Sequence, residues 1–411
     1  MELIKGTEPR LRFPNFKENW KEYKLYELLV EHKIRNKDNE VVEVFSVAKV
    51  KGVVNQIEHL GRSYASDNIS NYKVVNPYDV VYTKSPTANY PFGIIKQNRT
   101  NRTGVVSVLY GVFKPKNRYI GSLLHYYFSS SINIYNYLVP VVNIGAKNTM
   151  NVGNSDFLNG FKLSLPTNEL EQKKVSIFFY DYENYIKLLN NKLALLIKYR
   201  NAVVEKIFSQ EIRFKADSGS SFPVWREMKV SEIFEKYSNP VNVVLNEKYK
   251  EIGIRSHGKG IFHKESKTGD EIGNKRVFWL KEELFILNIV FAWEGAVAKT
   301  SKNEVGMIAS HRFPTFKAKD SILNLDFILA FFKTRKGLHL LQLASPGGAG
   351  RNKTLGKADF DNLKILIPDI KEQNKIADFI IELDLNIKSL KKQIDKAKKY
   401  KNGLLQQMFC N

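Results

Sequence analysis

A tandem repeat constrains this chain more than any motif within it. Residues 171–208 read EQKKVSIFFYDYENYIKLLNNKLALLIKYRNAVVEKIF, and residues 372–409 read EQNKIADFIIELDLNIKSLKKQIDKAKKYKNGLLQQMF. A constant offset of 201 aligns them without a gap, so that Tyr199 meets Tyr400, Asn201 meets Asn402 and Phe208 meets Phe409. The repeat continues upstream. LSLP at 163–166 matches ILIP at 365–368, Asp156-Phe157 matches Asp359-Phe360, and Trp20-Lys-Glu-Tyr-Lys matches Trp225-Arg-Glu-Met-Lys. FSVAKVKGVV at 45–54 resembles GIRSHGKGIF at 253–262. The two copies are collinear with small insertions, alike at their ends and dissimilar in between. Self-similarity of this kind sets the architecture before any local motif does. It describes a duplicated scaffold that carries two different surfaces.

The repeated segments have heptad order. In the first copy Val175, Phe179, Tyr182, Ile186, Leu189, Leu193, Leu196, Val203 and Ile207 fall at alternating spacings of three and four. In the second copy Ile376, Ile380, Leu383, Ile387, Leu390, Ile394, Ala397, Leu404 and Met408 do the same. Each seam breaks once, at Arg200 and at its equivalent Lys401. A sustained 3.5-residue period predicts a coiled-coil seam. Because the seams are equivalent, the two helices are expected to pack on each other, antiparallel, with a globular domain at each end in a pseudo-twofold arrangement. Pro166 and Pro368 mark where the helices begin.

Outside the helices the chain is strand-like. YKVVNPYDVVYT (72–83), GVVSVLYGVF (104–113), RVFWLKEELFILNIVFAW (276–293) and VGMIASHRFPTF (305–316) are β-branched and aromatic runs with turn residues between them. Short helices are expected at 121–135 and 325–341. The fold class is therefore α+β. The expected divisions are a first variable domain over 1–165, a central helix over 166–210, a linker over 211–220, a second variable domain over 221–367 and a closing helix over 368–411.

Charge points to the partner. Lys and Arg number 64 against 42 Asp and Glu, a formal net charge of +22, and such a surplus suits a polyanion, most simply nucleic acid. Basic, polar and aromatic residues cluster in the loops. The first copy offers Lys49, Lys51, Arg62, Tyr64, Lys84, Asn89, Tyr90, Lys96, Arg99 and Arg102; the second offers Arg255, His257, Lys259, His263, Lys264, Lys267, Trp293, Lys299, Arg312, Arg351 and Lys353. Arg and Lys suit phosphates and guanine edges, and Asn suits adenine. Any one of them is equally a solvated surface charge; only the clusters have weight.

Catalytic and nucleotide-binding motifs fail one by one. GIRSHGKG at 253–260 nearly matches a phosphate-binding loop, but Gly260 stands where Ser or Thr must hold magnesium. GGAGRNKT at 347–354 has Asn352 in place of the last glycine. The seven histidines show no zinc spacing. Asn76-Pro77-Tyr78-Asp79 lacks the second proline of an amino-methyltransferase motif. The reading is a chain without its own catalytic or metal site. A lone cysteine, Cys410, excludes a disulfide framework. No stretch reaches the ~20 apolar residues of a membrane span, and MELIKGTEPRLRF lacks a signal-peptide core, so a cytoplasmic protein without membrane attachment is expected.

Taken together, these features resemble the specificity subunit of a type I restriction–modification system over nearly the full length. The resemblance rests on the tryptophan that opens each half, the glycine turns at Gly52 and at Gly258/Gly260, the Asp-Phe, Leu-Pro or Ile-Pro and Glu-Gln run, and the paired helices. SPGGAGRNKTLGKADFDNLKILIPDIKEQ at 345–373 is its most specific stretch; the corresponding NIGAKNTMNVGNSDF at 143–157 lacks the SPGGAGR run. The resemblance implies that each variable domain is a target-recognition domain reading one half of a bipartite, asymmetric DNA site. It implies that the helices set the gap and dock two modification subunits, which methylate adenine with S-adenosylmethionine. Restriction subunits that use ATP and Mg complete the enzyme, and no cofactor is expected in this chain. Two rivals are a self-contained nuclease or methyltransferase and a basic coiled-coil scaffold.

Overall fold

The computed structural model describes residues 8–84, 91–144, 150–347 and 353–409. The chain forms two compact units, Met1–Asn190 with Lys392–Asn411, and Asn191–Lys391. Two long helices run through this division. The first spans Glu169–Phe208, 40 residues, and the second Ile370–Met408, 39 residues. Each unit thus holds its own share of both helices.

Within the first unit the helices run antiparallel. Phe179 stacks on Phe409, Tyr182 lies against Tyr400, and Gln393 donates to the Tyr185 hydroxyl. As the first helix advances, its partner retreats. Within the second unit Arg200 faces Asp384, while Val204, Ile207 and Phe208 share a core with Ile376, Ala377 and Ile380, which is again antiparallel. The seam positions read from the sequence are the inward ones. Val175, Phe179, Leu189, Ile376, Ile380, Leu383, Leu390 and Ile394 are buried, and Tyr182, Ile186, Leu193, Leu196 and Ile387 are half-buried. The seam breaks have a physical account. Lys401 pairs with Glu183 of the first helix, and Arg200 makes a two-pronged pair with Asp384 of the second at 3.0 and 3.1 Å. These four residues are equivalent under the offset of 201, Glu183 with Asp384 and Arg200 with Lys401, so each unit has an ion pair joining the two copies' helices.

The other conserved features of the repeat build the seat on which each helix starts. In the first unit Glu171 is fully buried. It accepts from Arg12 Nε at 2.7 Å, Arg12 Nη2 at 2.8 Å and Trp20 Nε1 at 3.2 Å. In the second unit Glu372, equally buried, accepts from Arg213 at 3.1 and 2.6 Å and from Trp225 Nε1 at 3.2 Å. These hydrogen bonds raise the Arg12 and Arg213 guanidinium groups above their usual range. The next residue does a second task. Gln172 donates to the Pro166 carbonyl and accepts from Asn117; Gln373 donates to the Pro368 carbonyl and accepts from the Asn324 backbone. Asn117 and Asn324 are themselves the N-caps of the helices Arg118–Tyr127 and Leu325–Phe332. The strand that follows each tryptophan pairs with the strand before the long helix in both units, Lys21–Tyr23 with Leu163–Leu165 and Arg226–Lys229 with Lys364–Ile367.

The variable interiors share more than their sequences suggest. The first unit has a four-stranded antiparallel sheet in the order Leu29–Glu31, Gly111–Pro115, Val80–Thr83, Ile94–Gln97. The second has Phe234–Tyr237, Thr315–Ala318, Phe285–Leu287, Val297–Lys299 in the same order. The structural difference is concentrated in one hairpin. Phe45–Ala48 and Gly52–Asn55 form a two-stranded ribbon linked to the pair Lys73–Val75/Gly104–Val106 through one parallel bridge, Val44 to Val105, whereas the longer Lys248–Ile254 and Ile261–Thr268 join Ile308–Ser310 and Val277–Trp279 in a second four-stranded sheet. The expected single helices at 121–135 and 325–341 are each broken in two, into Arg118–Tyr127 with Ser131–Leu138 and Leu325–Phe332 with Arg335–Leu343. The breaks fall where Ser130 and Thr334 cap a new start, their side chains accepting from the Asn133 and Gly337 amides.

Candidate nucleic-acid interface

In the first unit the candidates on the ribbon converge. The strands Phe45–Ala48 and Gly52–Asn55 close with Ala48 opposite Gly52, leaving Lys49, Val50 and Lys51 as a three-residue tip. Gly52 has φ +77°, the left-handed conformation such a turn needs at its last position. Lys49, Lys51, Arg62 and Tyr64 are all exposed. Lys51 Nζ lies 3.3 Å from His59, and the Arg62 guanidinium covers the Tyr64 ring at 4.5 Å. Gln56 ties this loop to the ribbon, donating to Ser46 at 2.9 Å and accepting from the Tyr64 amide at 2.7 Å.

Other first-copy candidates are committed elsewhere. Lys96 is a correction: it is buried, and its Nζ donates to Ser129 at 2.7 Å. Burial, with Lys401 and Arg99 adding to it against Glu183, pushes its ammonium down to about 7. The neighbouring His125 imidazole is driven well below its ordinary range by burial and by Arg99, Lys96 and Lys401. Arg99 is a second correction. It donates to Tyr126, Ser122 and Glu183 and sits 4.4 Å over the Tyr126 ring, so its fork is spent inside the unit. Lys96 lies on the strand Ile94–Gln97, and Arg99, two residues past it, reaches Ser122 and Tyr126 of the helix Arg118–Tyr127. Arg102 is exposed but bidentate to Glu58. Lys84 is half-buried beside Glu31 and Asp156. Asn89 and Tyr90 lie outside the described residues.

In the second unit the tip comprises Arg255, Ser256, His257, Gly258, Lys259 and Gly260. His257, Gly258 and Gly260 have φ +60°, +62° and +80°. This loop joins two strands, not a strand to a helix, which removes the phosphate-loop reading of 253–260. Arg255, His257, Lys259, Lys267 and Arg312 are exposed. Arg255 lies over the Phe262 ring at 4.8 Å. The tip is held down: Ser256 donates to Glu294 at 2.7 Å, and the His257 and Gly258 amides donate to Glu294 and Gly295 carbonyls. His263 pairs with Glu304 at 2.7 Å and Lys264 with Glu251 at 3.3 Å. Lys299 is a correction, clamped between Asp326 at 2.8 Å and Glu283 at 3.3 Å. Lys353 caps the half-buried Trp293 at 5.5 Å, and the indole N–H donates to the Val290 carbonyl. Arg351 lies outside the described residues.

Two sets of residues escaped the sequence reading. Arg12 and Arg213 had a signal, Leu11-Arg12-Phe13 against Ile212-Arg213-Phe214 at the helix offset of 201. Val50, 88% exposed at the ribbon tip, had none, because an apolar residue inside a strand-like run reads as core. Among the described residues no helix is long and apolar enough to cross a membrane.

Three comparisons bear on this geometry. Residues 224–399 match the family model for the type I restriction modification DNA specificity domain. A putative type I restriction enzyme MjaX specificity subunit from Methanocaldococcus jannaschii is 23% identical over 289 residues, 66% of this chain; the match spans 64% of that relative's own length. Among solved structures, a type I restriction–modification system S subunit from M. genitalium is 12% identical and superposes with a TM-score of 0.54, over 98% of this chain and 99% of that one. An HsdS subunit from Thermoanaerobacter tengcongensis is 14% identical, with a TM-score of 0.53 over 95% of this chain and 96% of that one. At such identities the structural likeness establishes a shared fold. The second copy thus matches the type I restriction modification DNA specificity domain, and the whole chain is similar in fold to solved specificity subunits.

Proposed function

We propose that the chain selects the DNA sequence on which a type I restriction–modification enzyme acts, each recognition domain reading one half of a bipartite, asymmetric site. The observation that carries this reading is one seat bearing two faces. The Arg–Glu–Trp anchor, the Gln brace and the four-stranded sheet recur in both units, while the hairpin that leaves the sheet differs in length, pairing and tip chemistry. A scaffold kept constant under two different cationic tips suits two different half-sites. The long helices set the gap and dock two modification subunits. S-adenosylmethionine, ATP and Mg act on the partner subunits, and this chain contributes no catalytic group. The complex works in the cytoplasm on double-stranded DNA, joined by restriction subunits for cleavage.

The test is to express the chain with its modification subunits in a host lacking other methyltransferases and to sequence the modified DNA. Methylated adenines within one split, asymmetric motif are expected. Modification without a shared motif would overturn the reading, and so would turnover by the purified chain alone with DNA, Mg and S-adenosylmethionine, which favours the enzyme rival.

A further inference from the structure

The ribbon Phe45–Ala48/Gly52–Asn55 ends in Lys49-Val50-Lys51, and Val50 is 88% exposed. An apolar side chain held between two lysines, away from its own core, gains nothing from folding. The lysines cannot be its reason either, because ammonium groups need no valine between them to meet phosphates. The surroundings are built rather than loose: Gly52 fixes the turn, and Gln56 straps Arg62 and Tyr64 beside the ribbon. This gives a narrow two-stranded element with cations on its flanks and one small apolar group at its point.

The major groove of B-DNA is about 12 Å wide and admits a two-stranded ribbon; its one apolar group is the thymine C5-methyl, which small apolar side chains recognise. Resting on the DNA-specificity reading above, we propose that Val50 is a specificity-determining residue that reads a thymine methyl in the half-site of the first unit, with Lys49 and Lys51 set against the flanking phosphates. The second unit supplies the contrast. At the equivalent position of its hairpin stands Gly258, whose amide is bonded to the Gly295 carbonyl and where a Cβ would meet Lys333 at 2.9 Å. Its tip has no apolar point, so the other half-site has no methyl read in this way.

The test uses the complex of the full chain with its modification subunits, on its own motif found by sequencing modified DNA. Each thymine of the first half-site is replaced in turn by deoxyuridine, which deletes the methyl group and keeps the pairing. One replacement is expected to weaken binding about fourfold, the value of one buried methyl. Val50→Gly and Val50→Ser, which carry no methyl group, are expected to bind the thymine and uracil duplexes equally at that position. Their thermal midpoint, their affinity for unrelated DNA and their response to the second half-site should stay as in the parent chain. Silence at every uracil position, a half-site without thymine, or a thymine preference that persists in both Val50→Gly and Val50→Ser overturns the inference. So does a Val50→Ser defect in assembly with the modification subunits, which would make the tip a protein contact. A complex with no motif at all strikes the DNA-specificity reading instead, and the two failures are therefore distinct.

Discussion

Glu171 and Glu372 show how much a short repeated motif encodes. Each is a shielded carboxylate whose oxygens are filled by a guanidinium fork and an indole N–H. Removing one partner of a buried pair strands the other, so Glu171→Ala or Glu372→Ala should each cost about 3–5 kcal/mol, read as a fall in urea midpoint; a loss below ~1 kcal/mol would mean the anchor is ornamental. Lys96 is the opposite kind of residue. Its native ammonium is held at about 7, against an ordinary lysine value of 10.5. Between those two values the unfolded chain binds the extra proton, so stability rises with pH across that window; below it the full penalty applies. Lys96→Met should therefore stabilise the first unit at pH 7 by about 1–4 kcal/mol, an advantage that shrinks towards pH 10 in urea titrations. An advantage that grew with pH would contradict the assignment. None of this was visible in the sequence, where Lys96 reads as one more surface cation. Its burial is decided by a helix about thirty residues further along the chain.

At the scale of elements, the helices were legible because a coiled-coil seam writes its period directly into the chain. Even the interruptions at Arg200 and Lys401 were visible, although their partners were not. Arg200 is largely shielded but Asp384 is about half exposed, so a double-mutant cycle on this pair should return only about 0.2–1 kcal/mol of coupling. Its physical effect is to fix register, since a slip of either helix by one heptad would face a charge with an apolar seam residue. The common four-stranded sheet was not legible, because a sheet core asks only for apolar residues of suitable size and tolerates their exchange. The paired short helices were misread as single ones for a local reason: Ser130 and Thr334 lie within apolar helical patterns, and only their cap geometry reveals the break.

At the scale of the whole molecule, duplication puts two differently built hairpins on one repeated scaffold, which on the proposed reading would let one chain address an asymmetric site. If the helices set the gap, one helical turn added near Leu193 and matched near Ile394 lengthens each rod by about 5 Å. The gap in the modified motif should then grow while both half-sites stay the same. A changed half-site would show that the helices do more than space. The most direct test exchanges residues 1–160 for those of a homologue with a different target and sequences the DNA modified by the resulting complex. The account predicts that one half of the motif is replaced and the other is kept intact. Replacement of both halves, or of neither, would contradict it.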